Sequence, residues 1–367
     1  MASRLLAQLA SRIAAARDPV EAACLRAQRG IYLARQGKHE HAQATVDAIR
    51  AEFGARPDAQ VTAWVSLVEA LIHFYSQPGP KALDRLQRAH ALSRAMNHPL
   101  LVPLCAAWLA HIEFNANRMP PMLRYATEAL RLAQPEHHAA LARVSLVIAD
   151  AFHFAGRFDL AKPWYAKVRE HALAEGDDAM ISAMLHNVAA LRANHVRLAD
   201  AFQEPQSEEV KRALLEAEST RNYDVGIGSL SLPQLLPLVR AQLLMVQGSF
   251  EAAVALFSAT LDKDNEENLE RREATFFAER AWCLMQLGRT AAARLDVDAA
   301  RKRTGNAADE DDVASTHARV AAVLDRLGQH EEAAEHRAAA MEFRRRHTAA
   351  QVELLGLLKT ALEDGGQ

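Results

Sequence analysis

The sequence has few cysteines, and this scarcity excludes a fold held together by covalent cross-links. Its 367 residues include three cysteines, Cys24, Cys105 and Cys283, which lie far apart. They form neither a CxxC pair nor an even disulfide framework, so a cysteine-based zinc site is excluded as well. We predict that all three are small buried hydrophobic residues, and they fit a protein of the reducing cytoplasm.

Aromatic residues and glycines are also scarce, and long apolar runs are absent. Aromatics make up 6% of the chain and glycine contributes 15 residues, whereas 50% of the residues are hydrophobic. This alanine-rich composition, without any strand pattern, predicts an all-α fold. No run of about 18 apolar residues, the length needed to cross a bilayer, occurs in the chain, so we predict no membrane span.

A strong charge of either sign is missing too. The formal net charge is -3, so the chain has no net attraction for a polyanion, and we predict no direct nucleic-acid partner. The stretch from Met1 to Arg17 is amphipathic but lacks the apolar core of a secretory signal. We interpret it as a capping helix.

What the sequence does contain is a repeated pair of helices, seen best from Val147 to Ala174. Apolar and small residues recur there at spacings of three and four on both sides of one short break, which is the pattern of two amphipathic helices. The break contains Gly156, and glycine adopts the left-handed conformation that ends a helix without steric cost. Ala149 before the break and Ala161 after it are small enough to let the two helix axes approach closely. The segment is predicted to be a helical hairpin.

The same two small positions recur along the whole chain. In the first helices they are Gly30, Ala70, Ala110, Ala149, Ala189, Ala241, Ala281 and Ala321, with spacings of 40, 40, 39, 40, 52, 40 and 40 residues. In the second helices they are Ala42, Ala82, Met122, Ala161, Ala201, Ala253, Ala293 and Ala333, with the same spacings. We call these positions the small-residue ladder. Two independent series in phase predict eight hairpins.

This pattern resembles the tetratricopeptide repeat (TPR), whose hairpin carries a small residue in each helix and a glycine turn between them. The best copies are Ala149-x6-Gly156-Arg157-Phe158-Asp159-Leu160-Ala161, Ala241-x6-Gly248-Ser249-Phe250-Glu251-Ala252-Ala253 and Ala321-x6-Gly328-Gln329-His330-Glu331-Glu332-Ala333. Repeats two, three and five depart from it at the turn, with Gln77, Asn117 and Val196. At about 40 residues the repeat is longer than the usual TPR of about 34. In length it resembles the repeats of bacterial regulators such as the maltose-operon activator and peptide-pheromone receptors.

The resemblance implies an all-α, right-handed TPR-type solenoid of about eight helical hairpins with a capping helix at each end. We predict one domain over residues 1–367. Its parts are an N-terminal capping helix (1–18), repeats one to five (19–202), an irregular insertion and connector (203–230), repeats six to eight (231–346), and a C-terminal capping helix and tail (347–367).

The irregular segment is predicted where the ladder spacing lengthens to 52 residues. Pro205 interrupts the helical pattern there, because proline disfavours a helix at its own position and just before it. The helix is predicted to resume from Glu208 to Ser219. A second stretch, Asn222 to Ser229, contains two glycines and is interpreted as a hinge-like connector. For the last helix two interpretations stay open: it caps the final repeat of a monomer, or it packs on a second subunit of a homodimer.

The TPR resemblance also implies where a ligand binds. In TPR arrays the first helices line the concave face, and the residues at offsets -6, -3, -2, +1, +4 and +5 from the small residue point into it. Applied to repeats two to five, these offsets predict a groove rich in aromatic and amide side chains, and they also place Arg143 there. Its predicted ligand-binding residues are Phe74, Tyr75, Trp108, His111, Phe114, Asn115, Asp150, His153, Phe154, His186, Asn187 and Asn194.

Catalytic and cofactor sites are not expected in this groove. Asp150 and His153 lie three residues apart on one helix face, with His111 one repeat earlier, but no HExxH motif or cysteine cluster accompanies them. No phosphate-binding glycine motif is present, and no nucleophile and base can be singled out as a pair. We predict no metal, no cofactor and no enzymatic activity.

These observations favour a non-catalytic scaffold that binds a peptide or an extended protein segment in the concave groove of repeats two to five. The alternative is a ligand-responsive regulator, in which a bound peptide or small molecule changes the superhelical pitch and alters a second surface for a partner protein. A third class, a metal-dependent hydrolase built on the same scaffold, lacks a supporting motif.

Overall fold

The protein is described from a computed structural model. The structure describes residues 3–76, 79–204, 207–230, 235–261, 272–304 and 309–364. Within these ranges the chain forms helices and no strand, so the all-α prediction is confirmed. The helices are α1 (Arg4–Ala15), α2 (Pro19–Arg35), α3 (His39–Phe53), α4 (Ala59–Ser76), α5 (Pro80–Ala95), α6 (Leu101–Asn115), α7 (Met119–Leu132), α8 (His138–Phe154), α9 (Phe158–Glu175), α10 (Asp178–Ala201), α11 (Ser207–Ile227), α12 (Leu235–Gln247), α13 (Phe250–Leu261), α14 (Glu273–Gln286), α15 (Thr290–Arg303), α16 (Glu310–Arg326) and α17 (His330–Asp364).

Neighbouring helices pair as hairpins closed by the predicted turns. α2 packs on α3, α4 on α5, α6 on α7, α8 on α9, α12 on α13, and α14 on α15. Gly156, between α8 and α9, has a φ of 72°, and the N–H of Arg157 donates to the carbonyl of Phe152 at 2.8 Å. Asn117 takes the same left-handed conformation in the third hairpin, since asparagine tolerates it better than other side chains. The corresponding Gln77 lies outside the described residues.

The small-residue ladder lies inside the helix contacts, as predicted. Every ladder position except Ala201 is buried. Gly30 shows how close the approach is, because a Cβ atom added there would lie 3.1 Å from Cγ1 of Val68 in α4. The ladder therefore marks the places where neighbouring helices meet.

The fifth hairpin differs from the prediction. Its turn was expected near Val196, but α10 runs without a break to Ala201, and Val196 is fully buried within it. Arg192 of α10 pairs with Glu209 at 2.6 Å and with Glu216 at 2.7 Å in α11. The extra residues thus lengthen both helices of one hairpin. The helix predicted from Glu208 to Ser219 forms within α11, so the segment expected to be an irregular insertion is largely helical.

The predicted connector from Asn222 to Ser229 is also wrong over most of its length. α11 continues to Ile227, and only the last two residues of the stretch, Gly228 with a φ of 65° and Ser229, lie outside the helix. Contacts with the start of α10 hold this end in place. The hydroxyl of Ser182 donates to Asp224 at 2.6 Å, and the hydroxyl of Tyr223 lies 3.5 Å from Asp178. Tertiary contact outweighs the low helix propensity of the glycines.

A separate C-terminal capping helix does not form. The second helix of repeat eight and the predicted cap are one helix, α17, which is 35 residues long. No glycine or proline lies between His330 and Leu355, so nothing in the sequence stops the helix at residue 346. Leu354 and Leu358 near its end are buried.

The chain folds into two compact units. Unit 1 comprises residues 1–184, 222–232 and 354–367, and unit 2 comprises residues 185–221 and 233–353. The core of unit 1 contains Trp64, Leu71 and Trp108, and that of unit 2 contains Phe257 and Phe276. The single domain expected over residues 1–367 stays a prediction. None of the described helices combines the length and the apolar character that crossing a bilayer requires.

We expect Ala161→Leu to destabilise the protein by about 1 to 3 kcal/mol, because the larger side chain overfills the contact between α8 and α9. Ala166→Leu in the same helix is the matched control, since Ala166 is exposed. It is expected to change the free energy of unfolding by no more than about 0.5 kcal/mol. Denaturant unfolding of both variants measures the difference, and equal stability would contradict the ladder contact.

The continuity of α17 predicts slow amide exchange across residue 346. The amides of residues 346–351 are hydrogen-bonded within the helix, so they are expected to exchange as slowly as those of residues 338–345. The amides of residues 330–332, in the first turn of α17, provide the fast-exchanging reference, because the first N–H groups of a helix have no partner within it. Hydrogen-exchange mass spectrometry makes the comparison, and a fast-exchanging patch at residues 346–349 would indicate two separate helices.

Candidate functional site

The residues predicted to line one groove are divided between the two units. Phe74, Tyr75, Trp108, His111, Phe114, Asn115, Asp150, His153 and Phe154 belong to unit 1. The other three, His186, Asn187 and Asn194, belong to unit 2. Each set is therefore described by itself.

In unit 1, four aromatic side chains lie in the last turns of three consecutive first helices. Phe74 and Tyr75 are in α4, Phe114 is in α6, and Phe154 is in α8. The rings of Phe114 and Phe154 meet edge to face at 6.3 Å, and those of Phe74 and Tyr75 at 5.0 Å. All four are half-buried. We call these four residues the aromatic row.

Trp108 lies beneath the aromatic row and belongs to the hydrophobic core of unit 1. Its side chain is 2% exposed, and the rings of Phe74 and Tyr75 each contact it at 6.3 Å. The guanidinium of Arg143 stacks on its indole face at 3.8 Å. Burial makes Trp108 a packing residue that positions the row and Arg143.

His111 is buried beside Trp108 and is neutral. Burial lowers its pKa well below the usual range, and the positive charges of Arg143 and Arg35 lower the pKa further. Its Nε2 atom lies 3.4 Å from the amide nitrogen of Asn115, an exposed residue at the end of α6. The Nδ1 atom has no hydrogen-bond partner among the described residues.

Asp150 and His153 take part in an internal hydrogen-bond network. The hydroxyl of Tyr165 donates to Asp150 at 2.9 Å and lies 3.1 Å from Nδ1 of His153. The ring of His153 also contacts Phe158 at 5.1 Å. These contacts join α8 to α9, so the two polar side chains strengthen the hairpin from within.

Two charged residues that the sequence prediction missed lie in the same region. Arg35, at the end of α2, donates to Asp177 at 2.6 Å, and both side chains are buried. The other oxygen of Asp177 accepts the backbone N–H of Met180 at 3.0 Å and so fixes the start of α10. Arg35 is five residues after Gly30, so the +5 offset applied to repeat one would have found it. Asp177 lies at none of these offsets from a position of the small-residue ladder.

Arg143 is a buried charge of unit 1 that stacks on an aromatic ring. It is 1% exposed, and its Nε and Nη2 atoms have no hydrogen-bond partner among the described residues. Burial lowers its pKa to about 10 and the charge of Arg35 adds to the decrease, while Tyr75, Asp177 and Asp150 act in the opposite direction. The guanidinium is still charged at neutral pH.

The three predicted residues of unit 2 do not line an aromatic surface of this kind. His186 is buried and Asn187 is half-buried. The side-chain oxygen Oδ1 of Asn194 accepts hydrogen bonds from the guanidinium groups of Arg272 at 3.1 Å and Arg197 at 3.3 Å. Asn194 therefore supports a buried charge cluster.

That cluster centres on Arg197, whose side chain is fully buried. It pairs with Asp312, with Asp311 at 3.2 Å and with Glu279 at 3.6 Å. Asp309, Asp311 and Asp312 are the one group of three side chains among the described residues whose ligand atoms approach closely enough for a metal. Because Arg197 already pairs with Asp311 and Asp312, their negative charge is compensated by the protein itself.

Unit 2 also contains a cavity of about 660 Å³ that no sequence pattern predicted. Trp282 of α14 lies in its wall, with the guanidinium of Arg326 at 4.6 Å and that of Arg319 at 5.3 Å from the indole ring. Arg319 pairs with Asp200, which also lines the cavity. None of the twelve predicted binding residues contributes to it.

The fold resembles that of solved structures, although the sequence identity to them is low. No family model matches the chain, and no curated protein matches it either. The chain resembles the apo form of RapI, with a TM-score of 0.50 and 13% identity, covering 77% of this chain and 97% of RapI. It also resembles a Rap protein complexed with competence and sporulation factor, with a TM-score of 0.46 and 13% identity, covering 90% of this chain and 100% of that chain.

At 13% identity the similarity to RapI shows the fold alone. The all-α helical-repeat fold predicted from the sequence is thereby confirmed. The second similarity is too low to carry an argument about this chain. The finer resemblance to maltose-activator-type regulators stays a prediction.

We expect Trp108→Ala to destabilise the protein by about 3 to 5 kcal/mol, because it removes a large side chain from the core. Trp164→Ala is the matched control, since Trp164 is only half-buried in α9. Its loss is expected to cost less than half as much. Thermal and denaturant unfolding measure both effects, and an unchanged stability of Trp108→Ala would show that Trp108 does not pack as described.

Proposed function

We propose that the chain is a non-catalytic binding protein that holds an extended peptide or protein segment against the aromatic row of unit 1. The observation that supports this proposal is the repetition of half-buried aromatic rings at the same end of α4, α6 and α8. Core packing alone does not require this repetition. An extended segment lying across these helix ends would contact one hairpin after another.

The physical basis of binding is an apolar surface that is already ordered. The rings of Phe114 and Phe154 support each other edge to face, and Phe74 rests on Trp108. Aromatic side chains fixed in this way lose little conformational entropy when a ligand covers them. Their exposed parts supply the apolar area whose burial drives association.

Polar groups at the same helix ends complement the rings. Asn115 is exposed directly after Phe114, and the phenol of Tyr75 lies at the end of α4. An amide both donates and accepts hydrogen bonds, as an extended peptide backbone requires. Backbone pairing with Asn115 and ring contact with Phe114 would together position a ligand.

The proposal includes the absence of catalysis. Asp150, Tyr165 and His153 are connected to one another through short contacts, and burial holds His111 neutral. No pair of these groups has the arrangement of a nucleophile and its base. We therefore assign them to structure and binding.

To test the proposal, peptides of about twelve residues would be selected from a random display library on the full-length protein. Phe114→Ala and Phe154→Ala are each expected to weaken binding of the selected peptides by about 30-fold, equivalent to about 2 kcal/mol, as anchor residues do. Leu173→Ala is the control, because Leu173 is 55% exposed on the second helix α9 of the same unit. Titration calorimetry supplies the affinities.

Melting temperatures of the three variants would be recorded alongside. A binding loss confined to the two phenylalanine variants, with folding preserved, supports the aromatic row. Peptides that bind all three variants as well as they bind the original chain would place the binding surface elsewhere, and the proposal would be abandoned.

A further inference from the structure

Unit 1 contains a cavity of about 330 Å³ that neither the predicted groove nor the aromatic row accounts for. It lies between α3, α4 and α5, and its lining includes the apolar side chains of Ile49, Phe53, Val61 and Val65. Since an apolar cavity of about 150 Å³ is large enough to hold benzene, this cavity has room for a molecule with two fused rings. Its volume is also within the range of small-molecule sites, about 300 to 1,000 Å³.

The two hydroxyl groups in the wall of this cavity already donate to the backbone. The hydroxyl of Ser66 donates to the carbonyl of Thr62 at 2.8 Å, and that of Thr62 donates to the carbonyl of Asp58 at 2.6 Å. Neither hydroxyl has a second proton for a ligand. A strong polar contact with a bound molecule therefore depends on the charged residues of the wall.

Glu69, in the middle of α4, is a charged residue of the wall whose hydrogen bonding is incomplete. It is 7% exposed. Arg50 approaches its Oε1 atom at 2.5 Å, whereas Arg85 stays 3.8 Å from Oε2, which is too long for a hydrogen bond. Oε2 has no hydrogen-bond partner among the described residues. The two arginines thus compensate the charge of Glu69 but leave one of its oxygens without a donor.

Arg85 controls access to this oxygen. Its side chain is 36% exposed, and an arginine exposed to this degree changes rotamer readily. A ligand that displaces it by a small movement reaches Oε2. Arg88 of α5 lies in the same wall, and guanidinium groups attract the face of an aromatic ring. The wall therefore offers one acceptor for a donor and two cations for a ring.

We propose that this cavity binds a small neutral aromatic molecule that donates one N–H or O–H group to Oε2 of Glu69. Indole and phenols have this chemistry. A neutral ligand is favoured because the charge of Glu69 is already compensated. An added cation would face the guanidinium groups of Arg50 and Arg85, and an added anion would face a carboxylate. The cavity is separate from the aromatic row, so this inference does not depend on the proposed function.

We assign the cavity to a free molecule, because its volume holds a whole molecule of one or two rings. A tryptophan side chain of a partner protein has the same ring and the same N–H group. Its backbone, however, would have to stay outside, among the exposed side chains of Arg50 and Arg88. Ordering that backbone costs conformational entropy that a free ring does not lose.

Three probes test the assignment on the full-length protein: indole, 1-methylindole and N-acetyl-tryptophanamide. Indole donates one N–H group, and 1-methylindole has the same rings without a donor. We expect indole to bind at least about fivefold more tightly than N-acetyl-tryptophanamide. Equilibrium dialysis measures the affinities, and the rise in melting temperature provides a second measure of binding.

Glu69→Gln isolates the hydrogen bond, because it keeps the shape of the side chain and removes its charge. The preference for indole over 1-methylindole should be about tenfold greater in the original chain than in this variant, since a hydrogen bond to a charged acceptor is lost. Comparing the same ratio in two chains cancels the greater hydrophobicity of the methylated probe.

Glu113→Gln is the matched control for this variant. Glu113 is 4% exposed, pairs with Arg118 in the same unit and does not line the cavity. Its variant should keep the preference of the original chain. If Glu69→Gln does not fold, Glu69→Asp keeps the charge but withdraws the carboxylate by one methylene, and the preference should fall by about threefold or more.

Thr62→Phe locates the site by filling the cavity from a half-buried position in its wall. Binding of indole should weaken at least about tenfold, because the larger side chain occupies the space of the ligand. The melting temperature should stay close to that of the original chain. Thr127→Phe is the control at a half-buried threonine of α7 outside the cavity, and it should bind indole as the original chain does.

Four results would overturn the proposal. The first is that indole does not bind, and the second is that Thr62→Phe binds it as well as the original chain. The third is an equal preference for indole over 1-methylindole in the original chain and in Glu69→Gln, which would remove the hydrogen bond. The fourth is N-acetyl-tryptophanamide binding as tightly as indole, which would make the cavity a docking site for a protein side chain.

Discussion

The close approach of two helix axes at one small residue in each is the constraint on which this structure depends. At Gly30 even one added carbon would come within 3.1 Å of Val68. Contacts this tight fix both the distance and the rotation of each helix relative to its neighbours. Because the small positions of α4, α6 and α8 recur at spacings of 40 and 39 residues, their hairpins share one register, and side chains at similar offsets reach the same level in each of them.

This register explains why the aromatic row exists. Phe74, Phe114 and Phe154 each follow the ladder residue of their helix by four or five positions, so they emerge at one end of α4, α6 and α8. The same register also directs side chains inward. Trp108 and Arg143 precede their ladder residues, and both are buried where neighbouring first helices pack together. One geometric rule thus produces an exposed apolar surface and a buried charge beneath it.

The groups that surround a buried arginine differ between the two units. In unit 2, Arg197 is surrounded by Asp311, Asp312 and Glu279, so its charge is paired within the protein. In unit 1, Arg143 has an aromatic face beside it but forms no ion pair with a carboxylate among the described residues. A buried arginine is thus accommodated by ion pairs in unit 2 and by stacking on an aromatic ring in unit 1.

The hairpins could be predicted from the sequence because their signals are local and repeated: a small residue in each helix, a glycine or asparagine turn, and a period of about 40 residues. Nine of the twelve predicted groove residues lie in one unit, because the offsets that the TPR resemblance implies select residues of successive first helices. The tertiary structure alone decided that α11 continues to Ile227, because contacts such as Ser182 with Asp224 hold residues in a helix that local propensity does not favour. It also decided which charges are paired. Arg35 and Asp177 are 142 residues apart in the chain, and no periodic pattern records a contact between side chains so distant in sequence.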